Sequence, residues 1–277
     1  GVGGTAITFG LPKLVSDLFP AEAAGTPSSI YLLGSFAGTA SAFSLGRGLF
    51  GPYLGGWRPL FLYTGVVVLG FAAVWWAVTF VVPLSTLRVR EADGENATEA
   101  SLGGLSRDLS RVFASRPMRW LVVVGVVYLL VVHGLQNWLA AVLGARGLAP
   151  TLAASITSAF VVSQAAGTIV IPPLSDRLGR RGGVVGACGA ACAAGVGTLL
   201  VPGLPLVVPV AGALIVGIGV GGLSPLVRMV PAELDGIGPE LTGTAVGLVF
   251  AVGELGGFLG PFLIGAGYDL TGSYAPG

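Results

Sequence analysis

The chain has 277 residues, of which 53% are hydrophobic and only 10% charged, with 14 Lys and Arg against 13 Asp and Glu. A water-soluble domain carries about 25% charged residues, and a disordered chain needs low hydrophobicity with high net charge, so the composition excludes both. A net charge of +1 gives none of the basic character that binds nucleic acid.

Charge-free runs then set the elements. There are 29 residues without charge between Arg58 and Arg88, 26 between Arg119 and Arg146, 29 between Arg146 and Asp176, and 46 between Arg181 and Arg228. A transmembrane helix needs about 20 mostly apolar residues, so each run spans a membrane once and the last spans it twice, divided at Pro202, Gly203 and Pro205. With turn signals included, eight helices are expected, at 1–19, 29–54, 60–83, 118–143, 151–174, 183–202, 205–230 and 242–266. The expected fold class is an all-α, multi-pass membrane protein.

Loop charges orient it, because Lys and Arg concentrate on the cytoplasmic side. Eight crossings put Lys13, Arg88, Arg90, Arg107, Arg111, Arg116, Arg119, Arg177, Arg180, Arg181 and Arg228 on one side, and only Arg58 and Arg146 on the other. The linker 84–117 is therefore expected in the cytoplasm, and Asn96-Ala97-Thr98, although a glycosylation sequon in form, lies on the wrong side to be one. Within the linker, Leu102, Leu105, Leu109, Val112 and Phe113 fall at helical spacing, which predicts a short amphipathic helix on the membrane surface with Arg107 and Arg111 toward anionic headgroups. Cys188 and Cys192 share one helix face with no His or carboxylate near them, and read as small packing residues rather than metal ligands.

Two distant segments share a pattern. Gly38, Gly51, Pro52 and Gly56 recur 209 residues later as Gly247, Gly260, Pro261 and Gly265, and Pro20-Ala21-Glu22 recurs 211 residues later as Pro231-Ala232-Glu233. Six helices separate corresponding members, and an even number of crossings preserves direction, so the copies are expected as parallel repeats about an axis along the membrane normal.

After the fifth expected helix comes Pro172-Pro173-Leu174-Ser175-Asp176-Arg177-Leu178-Gly179-Arg180-Arg181. This resembles the signature loop of the major facilitator superfamily, Gly-x-x-x-Asp-Arg-x-Gly-Arg-Arg, with Pro172 in place of the leading Gly. The run Gly38…Gly51-Pro52-Tyr53-Leu54-Gly55-Gly56 resembles the superfamily's helix 5 motif associated with proton antiporters, with Arg47 in place of its second Gly; Gly256 aligns with Arg47. The resemblance implies a partial major facilitator fold corresponding to helices 4 to 11. Residues 1–83 would close the N-terminal bundle, 84–117 would form the linker, and 118–277 would form the C-terminal bundle. It further implies a monomeric secondary transporter in the plasma membrane, moving a small solute by alternating access. It would need no cofactor beyond a proton or other ion gradient, and no metal. Asp176, Arg177, Gly179, Arg180 and Arg181 would form a conformational latch. A non-transporting solute sensor and an inactive truncated transporter are the alternatives.

Ionisable groups within spans are costly and face a cavity or a partner. Arg47 is a candidate fork for an anionic substrate group, and Glu254 a candidate carrier of the coupling proton. His133, Gln136 and Asn137 share a helix face by their spacing, and with Gln164 make the remaining substrate candidates. Trp138 is expected to anchor at the outer membrane interface. Gly217, Gly219, Gly221 and Gly222 follow no strand and read as helix-packing residues, not a nucleotide loop. No catalytic triad or phosphate-binding loop is present in the sequence, so no enzymatic chemistry is expected.

Overall fold

A computed structural model describes residues 25–81, 102–234, 236–237 and 239–275. The chain divides into two compact units, Gly1–Glu99 and Ala100–Gly277. The expected helix 1–19 with Lys13, the first Pro-Ala-Glu copy and linker residues 84–101 lie outside the described residues.

The first unit contains α1 (Gly25–Ser41), a π-helix (Ala42–Phe50), α2 (Gly51–Tyr53) and α3 (Trp57–Val81). The expected helix 29–54 is thus helical but is not one α-helix. Pro52 has no N–H, so it cannot satisfy the carbonyl four residues behind it. The backbone widens ahead of it, and Gly51 N–H donates to the Gly46 carbonyl in the i→i+5 pattern of a π-helix. The chain then leaves the helix at Gly55 and Gly56, whose φ angles of +79° and +134° only glycine adopts freely. Beyond Arg58, α3 is uncharged, and none of its side chains is buried within the unit. A helix apolar on every side belongs in lipid or against a partner.

The second unit contains α4 (Leu102–Ala114), α5 (Arg116–Ala145), α6 (Pro150–Leu178), α7 (Arg181–Leu200), α8 (Val207–Met229), a 3-10 turn (Val230–Glu233) and α9 (Pro239–Thr271). Among the described residues six helices are long and apolar enough to cross a membrane, α3 and α5 to α9. Eight were expected. Of the other two, one lies outside the described residues and one is divided by the π-helix. Several helices also outrun their apolar stretch. α6 continues through Pro172 and Pro173 to Leu178 and stops at Gly179 (φ +61°), whose N–H donates to the Ser175 and Asp176 carbonyls.

Helix α5 packs on α9, and α8 packs on both α6 and α7. Lipid tails are as apolar as leucine, so these helices gain little from hydrophobic burial and depend on close backbone approach. Along α9, a methyl on Gly256 or Gly260 would overlap the carbonyl of Val126 or Leu130 in α5. Along α8, methyls on Gly217 and Gly221 would overlap Ser163 and the Gln164 carbonyl in α6, while one on Gly219 would sit 2.7 Å from Cys192 Sγ. Both cysteines are buried free thiols at the α7–α8 contact, in the packing role expected of them.

The amphipathic helix α4 forms as expected but turns inward. Val112 is 0% exposed, in a cluster with Met118, Leu121, Val122, Val227, Ile237, Leu241, Ala245 and Val249. Its apolar stripe thus docks in part on the helix ends, leaving Phe113 and Arg107 exposed. Arg119 Nη1 donates to the Phe113 and Ala114 carbonyls, 3.0 and 3.2 Å away, and caps the negative end of α4. At the opposite end of the unit, Arg146 donates to the Leu199 and Val201 carbonyls at the C-terminal end of α7. Trp138, expected at the outer membrane interface, makes specific contacts within the unit. Its indole N–H donates 2.9 Å to the Pro261 carbonyl, and its ring meets Tyr274, which stacks on Tyr268.

Candidate functional site

Two polar groupings stand out in the second unit. The first lies within the spans. Gln164 in α6 is only 5% exposed, and the contact of its own carbonyl with Gly221 fixes its backbone against α8. From that position its amide meets Gln136 of α5, with Gln136 Nε2 donating to Gln164 Oε1 over a long 3.4 Å. Gln164 Nε2 is buried without a hydrogen-bond partner. Exchanging the O and N assignments of both amides moves the orphan from donor to acceptor and does not remove it. Such a buried amide group costs about 1–3 kcal/mol if it stays unpaired, which marks a place for a water or a ligand.

One helical turn away, His133 of α5 and Glu254 of α9 converge on Gly257. A methyl there would lie 3.0 Å from both His133 Nδ1 and Glu254 Oε2, so these atoms are no more than twice that distance apart. The missing side chain at Gly257 is what lets the imidazole and the carboxylate share this space. Asn137 faces outward and donates its amide back to the His133 carbonyl at 2.8 Å, which ties it to its own helix. The expected shared face of His133, Gln136 and Asn137 therefore divides in three: toward α9, toward α6 and toward the exterior of the unit. Arg47 lies in the π-helix of the first unit, where only its backbone is described.

The second grouping closes the other end of α6 and α7. Arg181, the first residue of α7, donates to Asp176 Oδ1 at 2.8 Å and forms an ion pair with Glu233 Oε1 at 2.7 Å. One guanidinium thus joins the signature loop to the turn after α8. Gly179 supplies the left-handed corner that returns the chain onto α7, while Arg177 and Arg180 are exposed. Glu233 was not among the expected latch residues, although its place in the repeated Pro-Ala-Glu carried a signal.

The expected packing glycines behave unequally. Gly256 and Gly260 abut α5, a methyl on Gly265 would lie 3.0 Å from the Trp138 ring, and Pro261 offers its carbonyl to that indole. Gly38, Gly55, Gly56 and Gly247 have nothing within 4 Å of an added methyl, and Gly51 faces only the Gly46 carbonyl, at 3.2 Å.

The decisive comparison covers nearly the whole chain, since the family model of the Major Facilitator Superfamily matches residues 1–261. The chain belongs to the major facilitator superfamily. It is accordingly a multi-pass membrane protein of a transporter superfamily, and its signature loop is the one that Arg181 ties to Glu233. No curated protein matches the sequence. Within the superfamily's helical frame, the polar atoms of Gln136, Gln164, His133 and Glu254 are the feature that a purely apolar bundle would lack.

Proposed function

We propose that this chain is a secondary active transporter, moving a small solute by alternating access and driven by protons. The observation that carries the reading is the buried, unpartnered amide of Gln164 beside Gln136 among membrane-spanning helices, on a unit that also brings together the imidazole of His133 and the carboxylate of Glu254. The amides offer hydrogen bonds to a solute. Glu254 is exposed on its unit, and a charge in lipid costs several kcal/mol, which makes this carboxylate the candidate carrier of the coupling proton. His133 is its partner in that exchange. Arg47 of the first unit is the candidate for an anionic group on the solute.

The remaining proposals follow the sequence. Residues 1–83 belong to the N-terminal bundle and 118–277 to the C-terminal bundle, as parallel copies in an eight-helix stretch of the fold, acting as a monomer. The 11-to-2 division of Lys and Arg supports a cytoplasmic position for linker 84–117, in a protein of the plasma membrane. The Asp176–Arg181–Glu233 bridge holds one conformer and opens in the other.

The test is proton flux in proteoliposomes loaded with a pH-sensitive dye, screened with small anionic and neutral solutes. Wild type should move protons with one class of solute, and Glu254→Gln should lose that flux while keeping solute exchange down no gradient. Proton-coupled accumulation surviving in Glu254→Gln would overturn the coupling role. Solute binding without flux in wild type would overturn transport itself.

A further inference from the structure

At the end of the second unit that holds the Arg181 bridge, a cavity of about 480 Å³ opens between the α4–α5 elbow and the turn after α8. Arg111, Ser115 and Arg116 line one wall, Glu233 the other, with Pro117 and Leu234 between them. Among the described residues neither arginine bonds an acid, whereas Glu233 is already neutralised by Arg181. Ser115 stands before the first turn of α5 and makes no capping bond with its side chain, so its hydroxyl is free to turn into the cavity. Two unengaged guanidinium forks and a hydroxyl on one wall are the donor set that a tetrahedral oxyanion takes.

We propose that this cavity binds a phosphate group, held by Arg111 and Arg116 with Ser115 as an additional donor. The positive end of the 30-residue helix α5 adds to the attraction. The volume far exceeds a bare phosphate, and the apolar walls at Pro117 and Leu234 suit the carbon skeleton of a phosphoester. The apolar span of α5 begins at Arg116, so the cavity opens at the depth of the lipid headgroups. A phosphoester arriving there comes either from an anionic phospholipid or from a soluble phosphate compound, and the same donors would hold both.

Thermal unfolding of the intact protein in neutral detergent separates these sources. It would be titrated with phosphatidylglycerol in one arm and inorganic phosphate in the other. Arg111→Gln with Arg116→Gln should raise the half-saturating concentration about tenfold or more, while Arg107→Gln, an exposed arginine of α4 outside the cavity, should leave it unchanged. Stabilisation by phosphatidylglycerol alone assigns the lipid headgroup. Stabilisation by inorganic phosphate with the same arginine dependence assigns a soluble occupant of the same site. Equal weakening by Arg107→Gln would reduce the effect to general surface charge and overturn the site, as would a wild type that neither probe stabilises. Should the double variant not fold, Arg116→Lys keeps the charge but loses the fork. Binding unchanged in that variant would overturn the assignment.

Discussion

Gly256 and Gly247 both lie along α9, and the structure gives them opposite tolerances. A methyl at Gly256 overlaps the Val126 carbonyl oxygen and comes within 2.8 Å of its carbon and 3.1 Å of its Cα. An ordinary contact for such a carbon begins near 3.4 Å, so α5 and α9 must part by more than half an ångström. The opening also loosens Gly253, whose own added methyl would sit 2.9 Å from Leu129 Cδ1, and Gly260, which lies against Leu130. A gap of that size forfeits a quarter to a half of each dispersion contact it widens, and overpacking of this kind costs about 1–3 kcal/mol. Gly247 has nothing within 4 Å, so Gly247→Ala meets no obstacle and gains about 0.5–1 kcal/mol of helix propensity. The two substitutions should differ by about 2–4 kcal/mol in unfolding free energy. The measurement is reversible unfolding in mixed micelles with increasing SDS, followed by tryptophan fluorescence. A difference below about 0.5 kcal/mol would refute the claim that backbone contact along α9 sets the stability of this helix pair.

Three further outcomes are expected. Arg181→Gln removes both arms of a half-exposed bridge, which is worth no more than about 1 kcal/mol, so hydrogen exchange at residues 230–237 should quicken by up to about fivefold. High salt should do the same to wild type, and unchanged exchange in the variant would remove the bridge as a latch. Arg146→Ala leaves the Leu199 and Val201 carbonyls without their donor and should cost about 1 kcal/mol, with faster exchange just after α7 and partial recovery in Arg146→Lys. Gln164→Leu replaces an amide that already lacks one partner, so stability should hold within about 0.5 kcal/mol or rise while solute-driven flux falls; a loss above about 1 kcal/mol would make the amide structural.

Much of the helical frame was legible because it depends on local properties of the chain. The uncharged runs placed α3 and α5 to α8, and Pro202-Gly203-Pro205 marked the corner between α7 and α8, where Gly203 has φ +76°. Helix ends were less legible. α6 and α9 outrun their apolar stretches because backbone hydrogen bonding does not stop where side chains turn polar, and charge counting sees only the side chains. The polar site was half legible. His133, Gln136, Gln164 and Glu254 were each conspicuous as polar groups in apolar helices, but which pairs meet depends on how α5 crosses α6 and α9. That crossing is set by glycines far away in sequence. Val112 turned inward for the same reason, since an amphipathic stripe does not say whether lipid or protein covers it. Glu233 stood in the repeated Pro-Ala-Glu, but its partner needed the fold, because only the return of α8 beside the start of α7 brings it to Arg181.

The π-helix at Ala42–Phe50 carries a consequence for the internal repeat. Each i→i+5 ring encloses one residue more than an α-helical ring, so every side chain after Phe50 is rotated away from the direction that an unbroken α-helix would give it. The matching stretch of α9 runs as one α-helix through Pro261 to Thr271. Equal spacing along the chain therefore accompanies unequal geometry: one segment is an unbroken α-helix packed along its neighbour, the other a widened helix that ends at two glycines with positive φ. Segments of matching glycine spacing need no large sequence change to take up different geometries. Widening a few backbone rings in one of them is enough.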